Sequence, residues 1–255
     1  MDADLQRIER ALLAAREAAA RFTPGRIASE KKAGGDPVTQ ADLLLDKVLK
    51  EALLGPSEGW LSEETADDLS RLGKKRVWIV DPLDGTREFI EGIPEWCISV
   101  ALVEEGCPTA AGICNPAAGQ MFLGSRLYGL TLNGQPVRVS QKADLKGARI
   151  LASRSEVRRG EWKRFEGAGF EIVPMGSVAY KLALVAAGLA DGMFTLVPKN
   201  EWDVAAGVCL VEAAGGRWEA DEQRRPFNQP NPLLNGLWAA NPRLLELLRN
   251  ISLRP

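Results

Sequence analysis

Two aspartates three positions apart, Asp81 and Asp84, close an apolar run, Val77-Trp78-Ile79-Val80, and lead directly into Gly85 and Thr86. Four consecutive apolar residues bounded by turn formers read as a buried strand, so these carboxylates sit on a fixed support. Pro82 fixes its own φ and biases Asp81 towards extended backbone. The strand is therefore expected to stop at Asp81, with the chain turning and both carboxylates beside the turn. Residues 86–90 then read as a short helix, whose first N–H groups, from Gly85 and Thr86, would face outward where anions bind. Carboxylates that hold cations beside N–H groups that hold a phosphate point to metal-assisted phosphoryl chemistry.

Further acids suit such a site, and each also suits a plainer role. Asp42 lies three positions after Thr39, an N-cap for a helix over 40–53, and a capping carboxylate in that first turn accounts for it without chemistry. Glu63 and Glu64 follow Trp60-Leu61-Ser62, a second strand end, where an exposed acidic loop is the simple alternative. Asp203 opens a helix over 202–214, a favourable place for any carboxylate. Its neighbours Ala205, Ala206 and Gly207 are small enough to let that helix pack closely and hold Asp203 in one place.

At 255 residues the chain can bury a sizeable core as one large domain or two coupled ones. Apolar residues at 45% and charged ones at 26% are globular values, and a formal charge of −2 argues against broad capture of a nucleic acid polymer or an anionic membrane. There is no histidine, which removes imidazole as ligand, general base or phosphate carrier. Cys97, Cys107, Cys114 and Cys209 form no Cys-x-x-Cys pair and read as reduced, mostly buried thiols of a cytoplasmic protein. The N-terminus lacks the basic start and apolar core of a signal peptide, and no apolar run approaches the ~20 residues of a membrane span.

Around these residues the pattern predicts an amphipathic helix over 4–20, a charged surface excursion over 65–76, and a meander of strands at 97–103, 109–114, 120–123 and 128–132. From about residue 146 strands and helices alternate: strands at 149–152, 170–173, 193–197 and 237–240, helices at 156–166, 177–187, 202–214 and 243–250. Two subdomains are expected, 1–145 with most of the acids and 146–255 with Asp203.

Together the pieces resemble the inositol monophosphatase superfamily of magnesium-dependent, lithium-sensitive phosphatases. The resemblance rests on Asp-Pro-Leu-Asp-Gly-Thr at 81–86, Ser-Glu-Glu at 62–64, Pro-Val-Thr-Gln-Ala-Asp at 37–42 and Trp-Asp-Val-Ala-Ala-Gly at 202–207, in the family's order and spacing across nearly the whole chain. It implies an α/β fold, a layered α/β/α/β/α sandwich. It also implies two or three Mg²⁺ ions. Glu63, Asp81 and the carbonyl of Leu83 would hold one ion, and Asp81, Asp84 and Asp203 a second. By the same resemblance Glu63 and Thr86 orient the attacking water, Asp42 accepts a hydrogen bond from Thr86, and the Gly85 and Thr86 N–H groups hold phosphate oxygens. Lys32 matches a lysine found near a further weak metal or phosphate environment in some relatives; a solvated loop lysine beside Lys31 is the alternative. Relatives are often homodimers, though the sequence itself shows no interface.

The metal motifs are shared by branches acting on inositol phosphates, 3'(2'),5'-bisphosphate nucleotides, fructose 1,6-bisphosphate and histidinol phosphate. Arg-Glu-Phe-Ile at 87–90, Ser153-Arg154-Ser155 and Gly176-Ser177 with Lys181 resemble the bisphosphate nucleotidase branch, with Arg154, Ser177 and Lys181 at the substrate. Residues 192–200 contain no acid of the kind that binds inositol hydroxyls in inositol-specific relatives. Arg87 in place of that branch's lysine, and Ile93-Pro94-Glu95-Trp96, depart from the nucleotidase pattern; the latter somewhat resembles histidinol phosphatases. The reading from another class is a metal-stabilised binding or regulatory protein that turns over little.

Overall fold

The computed structural model describes residues 3–31, 37–220 and 226–252. The chain opens with helix α1 (Ala3–Ala19), the short antiparallel pair β1 (Ser29–Lys31) and β2 (Pro37–Thr39), helix α2 (Gln40–Leu53) and strand β3 (Gly59–Ser62). Then come β4 (Arg76–Asp84), helix α3 (Thr86–Glu91), β5 (Cys97–Glu104), β6 (Cys107–Asn115), β7 (Gln120–Ser125), β8 (Gly129–Leu132) and β9 (Gln135–Val137). Strands β3 to β9 form one sheet in sequence order, parallel between β3 and β4 and antiparallel afterwards. Its tight hairpins are made where two successive residues take positive φ, Glu105-Gly106 (48° and 81°) and Asn133-Gly134 (49° and 78°), the backbone that matches the strands' twist.

The second part supplies β10 (Arg149–Ser153), α4 (Arg154–Arg158), β11 (Glu171–Met175), α5 (Val178–Ala186), β12 (Gly192–Thr195), β13 (Lys199–Asn200), α6 (Glu201–Ala213), β14 (Arg217–Glu219), β15 (Leu233–Leu234), β16 (Leu237–Ala240) and α7 (Pro242–Ser252). Five of these strands form a mixed sheet, β11-β10-β12-β16-β14, while β13 pairs with β15 alone.

Alternation along β4 and β5 decides the layering. Trp78, Val80, Ile98, Val100 and Leu102 face Leu5, Ile8, Leu12, Leu45, Leu49 and Leu53 of α1 and α2. Val77, Ile79, Ala101 and Val103 face the opposite way, against α5 and α6. The same two helices bury Leu151, Met193, Leu237 and Ala239 of the five-stranded sheet. Trp162, Phe165, Phe194, Trp238, Leu244 and Leu248 fill its outer side, under α7. The result is an α/β/α/β/α sandwich in which two sheets share a middle layer of helices. The change of sheet falls between β9 and β10, while the core crosses it.

Three expectations are corrected. The helix expected over 156–166 ends at Arg158, because Gly160 adopts φ +80°; Lys163–Phe165 is a separate 3₁₀ turn that aims Phe165 into the core. The segment 65–76 is more than a surface excursion, since Arg71 is 1% exposed, paired with Asp67 at 2.7 Å and bonded to the side chain of Asn228 and the carbonyl of Gln229. Those partners lie more than 150 positions away, beyond the reach of local pattern. The strand at Val77 does not stop at Asp81 but runs to Asp84 with a slip in register, as described below.

Close contact between α5 and α6 depends on one missing side chain. A Cβ at Gly207 would lie 2.4 Å from Leu182, far inside contact distance. Gly207→Val should therefore lower stability by about 1–3 kcal/mol, read as a lower denaturant midpoint at unchanged slope; an unshifted midpoint would show that the two helices separate freely.

Candidate active site

Proline's missing N–H shapes the centre of the site. Across β4 and β5 the register runs to Asp81 opposite Ser99, then slips so that Asp84 stands opposite Cys97. Pro82 cannot donate to the ladder, and a bulge at that point brings both aspartates to the wall of a cavity of about 260 Å³. Gly85 follows at φ +99°, where a Cβ would fall 2.8 Å from the carbonyl of Glu95. Only glycine turns the chain there and begins α3 at Thr86.

Glu63, Asp81, Leu83, Asp84, Gly85, Thr86 and Asp203 all line this cavity, as do Arg154, Ser177 and Lys181. Lys32 lies outside the described residues. Asp42, 1% exposed, stands behind Thr86. Its Oδ2 accepts from the Thr39 N–H (2.8 Å) and hydroxyl (2.6 Å), and its Oδ1 accepts from the Thr86 hydroxyl at 2.9 Å. The capping role and the link to Thr86 thus belong to different oxygens of one carboxylate. The Thr86 hydroxyl also reaches the Leu83 carbonyl at 3.1 Å.

Main-chain N–H groups hold the other aspartates. Leu83 N–H donates to Asp81 Oδ1 at 3.0 Å, Ala179 N–H to Asp84 Oδ2 at 2.5 Å, and Asn200 N–H to Asp203 Oδ2 at 2.8 Å. Burial, then the charges of Glu63, Asp84 and Asp203, raise the Asp81 carboxyl well above the usual range. Burial raises Asp84 as well, opposed by the Ser177 and Ala179 hydrogen bonds. Asp203 is pushed up to about 8 by burial and by Asp84 and Glu63.

Two residues expected at the substrate have internal duties instead. Lys181 is 2% exposed and directs its ammonium at the carbonyls of Met175, Gly176 and Ser177 (3.2, 3.3 and 2.9 Å); its three protons are then all engaged, leaving no donor for a phosphate. Burial lowers its pKa to about 8. The Ser177 hydroxyl donates to Asp84 Oδ2 at 2.7 Å and accepts from the Tyr180 N–H at 3.0 Å. Arg154 does border the cavity, with one guanidinium nitrogen 2.5 Å from Glu95 and a buried Nε that has no hydrogen-bond partner. The cavity is also lined by Lys199, which sequence reasoning missed, although its place four residues before Asp203 on the entry to the same helix was the available signal.

The donor set fits Mg²⁺. All its ligand atoms would be hard oxygens, which Mg²⁺ prefers. Asp81 Oδ2 is buried without any hydrogen-bond partner, a condition a carboxylate oxygen sustains only with a proton or a cation against it. Among the described residues no three acidic, Cys or His side chains are gathered into a ready-made metal cage. The carboxylates surround an open cavity, which suits an ion that keeps several waters. The thiols take no part: Cys97, Cys114 and Cys209 are buried, and burial raises all three pKa values, Cys114 to about 11 and Cys209 to about 12.

Fold and site together suit a phosphomonoesterase, the class to which comparison with known proteins assigns the chain. The chain belongs to the inositol monophosphatase family, whose model matches residues 2–253. Members of this family are magnesium-dependent, lithium-sensitive phosphatases that hydrolyse phosphate monoesters. An inositol-1-monophosphatase of Rhizobium meliloti is 35% identical over 234 residues, 88% of this chain and 85% of that protein. A Nus factor SuhB of Xylella fastidiosa is 37% identical over 196 residues, 73% of this chain and 70% of its own. Among solved structures, the extragenic suppressor protein suhB of Bartonella henselae superposes with a TM-score of 0.85 at 27% identity, with 99% of each chain covered. CysQ of Bacteroides thetaiotaomicron gives 0.75 at 26% identity over 93% of this chain and 97% of that one. No helix among the described residues is long and apolar enough to cross a membrane.

The raised carboxyls give a signed pH dependence. Metal-free, the folded chain holds protons on Asp81, Asp84 and Asp203 that the unfolded chain has lost, so these groups' contribution to stability is full below pH ~4 and falls as pH rises towards about 8. Lys181, lowered to about 8, contributes the opposite slope only above that value. Mg²⁺ held by these carboxylates would replace the protons, so its gain in Tm should be larger at pH 8 than at pH 5. Melting curves with Mg²⁺ and with EDTA across that range check this; an equal gain at both pH values would show that the carboxylates are already ionised in the metal-free fold.

Proposed function

We propose that this phosphatase acts on a small phosphate ester carrying a second anionic group, a 3'(2'),5'-bisphosphate nucleotide. The observation that carries the reading is the cation set on the cavity wall, where Arg87, Arg154 and Lys199 line the same cavity as the aspartates, and the segment 192–200 brings Lys199 but no acid. The second phosphate would meet Lys199 and Arg154, and Lys181 would stay with its three carbonyls. Glu95 and Glu88 temper Arg154, at 2.5 and 4.0 Å, so Lys199 is the stronger of the two contacts.

Glu63, Asp81, the Leu83 carbonyl, Asp84 and Asp203 would hold Mg²⁺, which when bound supplies Lewis-acid stabilisation of phosphoryl oxygens and an acidified water. The chain's own groups do the positioning. Thr86 gives its proton to Asp42 or to the Leu83 carbonyl, which leaves its oxygen to accept from a water molecule and, with Glu63, aim it. The Gly85 and Thr86 N–H groups hold phosphate oxygens at the start of α3.

A second reading, hydrolysis of inositol 1-phosphate, draws on the name of the R. meliloti relative. A regulatory protein with little turnover is the remaining one, in keeping with the Nus factor relatives; intact acids at every ligand position weigh against it.

Phosphate release with Mg²⁺, with and without Li⁺, from adenosine 3',5'-bisphosphate, inositol 1-phosphate, fructose 1,6-bisphosphate and histidinol phosphate separates these readings. The bisphosphate nucleotide should be preferred and its turnover suppressed by Li⁺. Lys199→Ala should raise KM for it about tenfold, the effect of losing one charge-assisted contact, and Asp84→Asn should abolish turnover. Preference for inositol 1-phosphate, with Lys199→Ala silent, would overturn the substrate reading, and no release from any of the four would favour the regulatory one.

A further inference from the structure

We infer that Ser177 is the positioning residue for the Asp84 carboxylate, and that the chain keeps a strained backbone at this point to hold one acid of the metal site in place. The inference rests on the metal role proposed for Asp84.

Ser177 has φ +49° and ψ +120°, outside the regions L-residues ordinarily adopt, and it is 7% exposed. Backbone of this kind persists only where its surroundings over-determine it. They do so here from three sides. The N–H of Gly176 donates to Glu95 Oε2 at 2.7 Å, the carbonyls of Met175, Gly176 and Ser177 all receive the Lys181 ammonium, and a Cβ on Gly176 would lie 2.2 Å from the Glu88 side chain. The turn is wedged in position, and the Ser177 side chain is delivered to Asp84.

Its hydroxyl performs two tasks at once. It accepts the Tyr180 N–H, capping α5, and it donates to Asp84 Oδ2. The cap alone needs only an acceptor, which Asn or Asp supplies, and Asn tolerates positive φ better than Ser. The bond to Asp84 needs a donor. With its single proton on Asp84, Ser177 Oγ can meet Cys97 Sγ, 3.4 Å away, only as an acceptor, and the Cys97 thiol keeps its proton under burial. Ala179 N–H reaches the same Asp84 oxygen, so two bonds fix Oδ2. Hydrogen-bonding partners of this type tune the affinity of a liganding carboxylate.

Three substitutions in the full-length chain separate positioning from simple structural support. Ser177→Gly and Ser177→Ala both remove the donor, but only Gly relieves the Cβ strain; Ser177→Thr keeps the donor and adds a β-branch. Mg²⁺ affinity by calorimetry and metal-free Tm by thermal melting are the two readouts. Affinity should fall about tenfold in both Gly and Ala and stay at the wild-type level in Thr, while metal-free Tm should rank Gly above Ala and Thr below wild type. Affinity and stability would then move independently. Wild-type affinity in Ser177→Gly, or affinities that simply follow Tm, would overturn the inference. Asp84→Asn measured alongside keeps the two claims apart: if it leaves Mg²⁺ affinity unchanged, the metal role of Asp84 is what fails, whereas loss in Asp84→Asn with none in Ser177→Ala removes only the role of Ser177.

Discussion

The structure depends on keeping several like charges together around one cavity. Glu63, Asp81, Asp84 and Asp203 line it, and burial disfavours the ionised forms of the three aspartates, with the neighbouring acidic charges adding to it at Asp81 and Asp203. Each aspartate around the cavity is secured in the same way. One oxygen is tied to a main-chain N–H, from Leu83, Ala179 or Asn200, and for Asp42 from Thr39. Main-chain donors have no rotamers to lose, so they fix a carboxylate more firmly than mobile side chains would. They also leave the other oxygen available. In Asp42 that oxygen receives Thr86, and in Asp81 it is the buried Oδ2 with no partner.

These donors come from three different parts of the chain, which explains why the site needs the whole sandwich. Asp81 and Asp84 stand on β4, Asp42 caps α2 on one side of it, and Asp203 and Ala179 come from α6 and α5 in the layer shared by both sheets. The first turn of α6 is itself anchored at a distance. The Glu201 carboxylate accepts the N–H groups of Asn228 and Gln229, and buried Arg71, paired with Asp67, holds the side chain of Asn228 and the carbonyl of Gln229. A charged chain of contacts thus runs from the loop after β3 to the helix that carries Asp203. Removing Asp67 or the Asn228 and Gln229 contacts would leave the buried Arg71 charge less compensated, so the network commits the two halves of the sequence to one arrangement.

Much of this was legible in the sequence, for identifiable reasons. The apolar run before Asp81, the Thr39 cap and the small residues after Asp203 are local signals, and local signals set β4, α2 and α6 within a few residues of their observed bounds. The slip that carries β4 on to Asp84 was only half visible, because Pro82 forecasts an interruption but not whether the strand resumes. Gly160 was read inside a helix because an isolated glycine is compatible with one; at φ +80° it instead ends the helix just before Trp162 and Phe165 enter the core.

Side-chain roles were harder to read than elements, and Lys181 shows why. In sequence it is a cation near a phosphate motif, and nothing local tells whether its ammonium faces a ligand or the protein. Placed on helix α5, it lies one turn after Ser177, where the carbonyls of a tight turn converge and demand a donor. That demand comes from a left-handed serine that no propensity scale anticipates, and the serine is in turn held against Asp84. The lysine therefore supports the Asp84 wall of the cavity through the backbone. Lys199 reaches the cavity because β13 delivers it beside Asp203, a pairing made with β15 more than thirty residues later. Charge near a motif identifies neither job; the hydrogen bonds that a side chain has already made decide which cations remain for a substrate.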